Sequence, residues 1–182
     1  MKLALTAVLS LLLAAGAAAQ SSVRVLHEYE VPDHGKFVVE VPQDWQQASR
    51  PLAGPPSVQL RFSSGEADRF RIQATAIWLD AEGRAKATPA DLQETLRASA
   101  VEPLKESVET EVTLRELKGD GTQGYWFGLT DREVPAGEYK YLIQGIQLTG
   151  ELLTVYTILY HDADLPEKQA MLDLFAGARH AP

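Results

Sequence analysis

Apolar and polar residues alternate with a period of two along much of this chain, and that alternation predicts strands. Residues 23–31 and 36–42 read as a hairpin around the turn Pro32-Asp33-His34-Gly35, with Phe37, Val39 and Val41 on one face and Glu40 on the other. Residues 57–62 and 69–79 read as the next two strands. In the second of these, Phe70, Ile72, Ala74, Ala76 and Trp78 share a face that must be buried, while Arg69, Arg71, Gln73 and Thr75 occupy the opposite face. Four more strands are expected over 110–117, 122–130, 138–148 and 152–160. The turns Lys118-Gly119-Asp120-Gly121 and Thr149-Gly150-Glu151 join them as antiparallel hairpins. Residues 152–160 are apolar on both faces, as befits a central strand covered on two sides.

In two places the period lengthens to that of a helix. Thr88 can cap, Pro89 suits the first helical position and Asp91 can answer the cap, so a helix is expected over 88–107. Leu92, Leu96, Ala100 and Leu104 form its apolar stripe, and Pro103 bends its last turns. Asp164-Leu165-Pro166-Glu167 repeats the capping pattern, with Asp164 as cap. Met171, Leu174, Phe175 and Ala178 then form the docking face of a terminal helix. Pro42-Gln43-Asp44-Trp45 leaves the sheet, and residues 50–56, with three prolines, read as a rigid irregular loop. The order of strands, long helix, strands and final helix predicts an α+β domain whose antiparallel sheet is flanked by two amphipathic helices.

This layout resembles the PsbP-like family, which includes the extrinsic photosystem II subunit, a Ran-GTPase-binding nuclear import factor and many bacterial exported proteins. The residues that carry the resemblance are Phe37-Val38-Val39-Glu40-Val41-Pro42-Gln43-Asp44-Trp45, together with the late stretch 139–160 and the helix expected after Asp164. The resemblance spans nearly the whole of residues 20–182. It implies an α/β/α sandwich, and a scaffold whose members mostly bind other proteins.

The first nineteen residues read differently from the rest. Lys2, the apolar run 3–13 and Ala14-Ala15-Gly16-Ala17-Ala18-Ala19 have the three parts of a secretory signal peptide, with cleavage expected near Ala19. A single domain over 20–182 remains, of a size that buries one core. The run is shorter than the about 20 apolar residues of a spanning helix. The chain has no cysteine, hence no disulfide and no lipid-bearing cysteine at the junction, so the product is expected free in the periplasm or medium, without a membrane anchor. With Lys2 removed, 16 basic residues face 25 acidic ones, a net charge near −9 that disfavours nucleic acid and anionic lipid as partners.

No motif imposes a chemistry. The chain lacks a G-x-S-x-G elbow, and Gly119-Asp120-Gly121-Thr122-Gln123-Gly124 joins two strands where a phosphate cradle would open a helix. Asp162 and Asp164 have a calcium-loop spacing but lack its glycine and closing glutamate. His27, His34 and His161 each lie beside a carboxylate, which makes them the candidates for a metal ion if they converge. His161 is also the residue on which an unrecognised hydrolase would depend. Tyr125-Trp126-Phe127 and Tyr139-Lys140-Tyr141 supply either core or a ligand surface. The expected function is that of an exported, non-catalytic, accessory domain binding an envelope protein, with no cofactor. Its contact surface is expected at Trp45, Arg50, Pro51, Pro55 and Pro56, because prolines pre-order a loop.

Overall fold

The computed structural model describes residues 23–65 and 68–182; the expected signal peptide and its cleavage point lie outside the described residues. Nine of the ten strands come from the alternating segments and their neighbours: β1 (Arg24–Glu30), β2 (Lys36–Pro42), β3 (Trp45–Pro51), β4 (Ser57–Ser64), β5 (Phe70–Trp78), β6 (Arg115–Gly119), β7 (Thr122–Thr130), β8 (Tyr141–Thr149) and β9 (Leu152–Tyr160). The tenth, β10 (Arg179–Ala181), follows the last helix. Four helices complete the described residues: α1 (Ala81–Lys86), α2 (Pro89–Ser99), α3 (Val101–Lys105) and α4 (Lys168–Ala176).

The strands form two antiparallel sheets. A seven-stranded sheet runs β3-β4-β5-β9-β8-β7-β6, and a small sheet runs β1-β2-β10. The expected single sheet is thus two, because the first hairpin folds over the large sheet instead of extending it. One continuous core lies between them. It joins Tyr29, Phe37, Val39 and Val41 of the small sheet to Leu60, Phe62, Phe70, Ile72 and Ile158 of the large one and to Met171, Leu174 and Phe175 of α4. A second core lies on the opposite face of the large sheet, where Leu92 and Leu96 of α2 and the following Ala100 pack on Phe127, Leu129 and Ile146. The result is an α+β sandwich with three layers, in which α4 shares its layer with the small sheet.

Thr88 and Asp91 form the anticipated capping box of α2, with Pro89 at its first turn. The single helix expected over 88–107 is interrupted at Ala100, and α3 follows. Pro103 has no N–H to give to the Ser99 carbonyl, so the ladder cannot run through unbroken. α1 has no buried residue and is nucleated by Asp80, whose Oδ1 accepts from Gly83 N at 2.7 Å. Asp164 does not cap α4: the helix begins after Glu167, without a side-chain cap, and Asp162 Oδ1 accepts the Asp164 N–H at 3.1 Å in a turn. The strand expected over 110–117 shortens to β6.

Two contacts under α4 depend on small or polar residues. A Cβ on Gly145 would lie 2.1 Å from Tyr156 Cζ, so the glycine lets that ring lie across the sheet and stack on Phe175 at 3.8 Å. Buried Gln147 donates to the Phe175 carbonyl at 3.1 Å and to Thr149 Oγ1 at 3.2 Å, tying the last turn of α4 to β8.

Candidate functional site

One face of the large sheet carries the small sheet and α4, and among the described residues the other face is covered only in part, by α2. The antiparallel registers of β3, β4, β5 and β9 place the side chains of the partly covered face in three rows across the strands. The first row is Arg50, Gln59, Thr75 and Val155; the second is Ala48, Arg61, Gln73 and Thr157; the third is Gln46, Ser63, Arg71 and Leu159. Toward β8 the rows continue into Ile146, Gln144 and Leu142, and there α2 begins to cover them. Ser99 Oγ of α2 donates to Gln144 Oε1 at 3.1 Å, marking the rim of the covered region.

Three arginines stand on this face, one per strand and one per row, so they run diagonally across β3, β4 and β5. From the ~4.8 Å strand spacing and the ~6.8 Å two-residue repeat, successive Cα atoms on that diagonal lie about 8 Å apart. None of the twelve positions in the rows is acidic, although the chain as a whole carries a net charge of −8. Arg50, Arg61 and Arg71 are all exposed. Arg50 Nε donates to Gln59 Oε1 at 2.9 Å, which ties the first guanidinium to the neighbouring strand.

At the Arg71 end the face is bounded by a small cluster. Tyr139 OH donates to Asp68 Oδ1 at 2.6 Å, Arg71 lies 5.5 Å from the centre of the Tyr139 ring, and His161 stacks on that ring at 4.4 Å. Burial of the phenol, with the Asp68 hydrogen bond, pushes the Tyr139 pKa up to about 12. Asp68 lies 3.7 Å from Arg71 and partly answers its charge. At the opposite side, Gln73, Thr75, Thr157 and Gln144 meet Thr95 and Ser99 of α2 around a cleft of ≈ 170 Å³. A broader depression of ≈ 380 Å³ over β3, β4 and β5 has Gln73 in common with it.

This arrangement is suited to binding extended acidic groups. Guanidinium forks are donors only and pair with carboxylates in a planar, bidentate way, while the glutamines and threonines between them offer both donors and acceptors. Arginines at the surface retain most of their hydration, so each contact is modest and the array acts through number and spacing.

The sequence-predicted contact residues are divided by the structure. Trp45 is 7 % exposed, with its ring 4.6 Å from that of Phe70; it belongs to the core and offers no outer surface. Residues 45–51 are a strand, which corrects their reading as an exit from the sheet and the start of a loop. Arg50 stands on the uncovered face. Pro51 ends β3, whereas Pro55 and Pro56 lie in the turn before β4, where their carbonyls accept from Ser57 Oγ and Trp78 N at 2.9 Å each.

His27, His34 and His161 do not come together. His27 lies beside Gln47 Nε2 at 3.0 Å, His34 stacks on Trp78 at 3.7 Å, and His161 is on Tyr139. Among the described residues no three His, Asp or Glu side chains are grouped to hold a metal ion. The aromatic triplets divide as well. Phe127 is wholly buried and Tyr139 nearly so, while Trp126 and Tyr141 are half-buried and line a cleft of ≈ 300 Å³. Arg115 lies over Trp126 and Lys168 over Tyr160 in that cleft, while Glu109 is held by Thr130.

Sequence reasoning missed Arg61, Arg71 and Gln73 as a functional set. The signal of Arg71 and Gln73 was present in the polar face of 69–79 and that of Arg61 in the alternation of 57–62, but nothing local placed residues 45–51 beside them. Gln-Gln-Ala-Ser-Arg-Pro is poor in strand formers, and it forms a strand because Trp45 anchors it to the core and β4 supplies the ladder.

No helix among the described residues is long and apolar enough to cross a membrane. No family model matches the chain, and no curated protein matches it. Among solved structures, the cyanobacterial PsbP (CyanoP) of Synechocystis is similar over 92% of this chain and 99% of its own, with a TM-score of 0.54 and 11% identity. Protein PA94 of unknown function from Pseudomonas aeruginosa aligns over 82% of this chain and 95% of its own, at a TM-score of 0.36 and 18% identity, too low to carry an argument. The fold of this chain is PsbP-like, as the residues around Trp45 and the late strands implied.

Proposed function

We propose that this protein is an exported, non-catalytic accessory domain of the bacterial envelope that binds a partner protein on the uncovered half of its large sheet. The observation that carries this reading is the diagonal of Arg50, Arg61 and Arg71 on a face free of acidic positions in an otherwise acidic chain. A face that no layer covers is the place where such a scaffold has room for a second molecule, and a basic stripe on an acidic background selects for acidic groups while repelling other copies of the chain. Lys2, the apolar run 3–13 and the small residues up to Ala19 support the location, and the PsbP-like fold is compatible with a binding role without assigning one.

The test is affinity capture from a cross-linked envelope extract of the host with two baits, the native protein and a triple variant Arg50→Glu, Arg61→Glu, Arg71→Glu. The native bait is expected to enrich a partner that the variant loses while keeping its melting temperature. A partner retained equally by both baits would overturn the role of this face.

A further inference from the structure

Among the described residues the open face ends at an open edge. β3 is the terminal strand of the large sheet, and six of its seven residues, from Gln46 to Pro51, are exposed. Leu52 N donates to the Ser57 carbonyl at 3.3 Å, so by the alternation of an antiparallel ladder Arg50, Ala48 and Gln46 bond to β4. The backbone groups of Gln47 and Ser49 then point outward. Pro51 falls at an outward position as well, where its missing N–H disturbs no bond to β4. At the other end of the sheet a Cβ on Gly119 of β6 would lie 1.8 Å from the Ala176 carbonyl, so the end of α4 packs against that strand.

Natural sheets usually blunt an open edge with charges, prolines, bulges or a covering segment, and β3 has such devices only at its far end, Arg50 and Pro51. β3 carries a single charge, Arg50, of the same sign as the face beside it. Gln47 is tied to Tyr29 and His27 of the small sheet, but on the core side of the edge, so the side next to the arginines stays free. Ala48 lies directly opposite Arg61, and its short side chain leaves that guanidinium a clear path to the edge.

We propose, building on the function proposed above, that the occupant is an extended acidic segment of the partner protein that pairs with β3 as an added strand. Its main chain bonds to Gln47 and Ser49, and carboxylates at alternate positions, about 7 Å apart, reach Arg50 and, over Ala48, Arg61. Main-chain pairing supplies affinity without regard to sequence, and the arginines supply the preference for acidic side chains. A nucleic acid would meet the charge but has no strand to offer the edge, and the acidic remainder of the chain repels a long polyanion.

The probes are a short acetylated peptide alternating Thr and Glu, the same peptide with Lys for Glu, and the acidic peptide methylated at alternate backbone nitrogens. The native protein is expected to bind the acidic peptide, to slow hydrogen exchange at the Gln47 and Ser49 amides, and to bind the other two about tenfold or more weakly, a gap of about 1.4 kcal/mol. Arg61→Ala is expected to weaken the acidic peptide alone. Equal binding of the methylated peptide, with the arginine dependence kept, would overturn strand addition and leave the face as a binding surface. Equal binding of the acidic and Lys peptides, or of neither, would overturn the acidic segment. The face reading is judged separately, by the capture experiment with the triple variant.

Discussion

The two halves of the large sheet share one strand, β9, and one buried face, yet they treat their other face in opposite ways. On β7 and β8 the outer positions are Tyr125, Phe127, Leu129 and Ile146, and α2 lies on them with Leu92 and Leu96. On β3, β4 and β5 the corresponding positions are glutamine, arginine, threonine, serine and one alanine, Ala48, and no helix of the described residues lies over them. A helix docks on a sheet to remove apolar area from water, at roughly 25 cal/mol per Å². Where the outer positions are polar there is nothing for it to gain, and the face stays open. Val155, 38% exposed on β9, stands where the two regimes meet.

The largest test of this contrast is Phe127→Ala in the covered half. The ring is wholly buried, and its removal leaves a cavity under α2, with an expected loss of about 3–5 kcal/mol in urea denaturation. A loss no greater than that of a surface substitution would show that α2 is not held by this core.

Next in size is the start of the covering helix. Thr88 accepts the Asp91 N–H while Asp91 accepts the Thr88 N–H at 3.1 Å, and Thr88→Ala is expected to lower stability by about 1 kcal/mol. Hydrogen exchange should show α2 fraying from its N-terminus while β3, β4 and β5 keep their protection.

A pH-dependent contribution also belongs to the covered half. Burial acts to raise the Glu109 pKa, but hydrogen bonds from Ser107 Oγ and from Thr130 N and Oγ1 outweigh it and hold the carboxyl below 4.5. A carboxylate held low stabilises the fold above its unfolded pKa, and that contribution fades as the pH falls through the folded value. The stability gap between the native protein and Glu109→Gln is therefore expected to be full above about pH 4.5 and to close on further acidification. A gap that is the same at pH 7 and pH 3 would show that the carboxylate charge plays no part.

The smallest expected effect is in the open half. Arg61→Ala should change stability by no more than about 0.5 kcal/mol, since the side chain is exposed and packs under no other layer. A large loss would mean that the face is stabilised by its own side chains, and the contrast between the two halves would fail. A small stability change with lost binding would sharpen it.

The strands and the capped start of α2 were legible because period-two alternation and the Thr88-Pro89-Ala90-Asp91 pattern are local properties, set by neighbours within one turn or one pleat. The same is true of β9, whose two-sided apolar run marked it as central. What failed had a non-local cause. Trp45 looked like a loop residue until the core between the two sheets claimed it. The histidines had carboxylates beside them in sequence, but their positions on β1, on the first turn and after β9 are set by separate parts of the sandwich. β10 carries too few residues for any pattern, and it is a strand only because α4 delivers it to β2.

The sequence by itself determined the composition of each face. Arg71, Gln73 and Thr75 alternate with Phe70, Ile72 and Ala74, so one side of β5 had to be wet and the other dry, whatever the fold around it. Only the tertiary structure decided which wet faces lie side by side. Register places Arg50, Arg61 and Arg71 on one diagonal and leaves β3 at an edge, and register is a relation between strands, fixed by the packing of the dry face and invisible along any one of them.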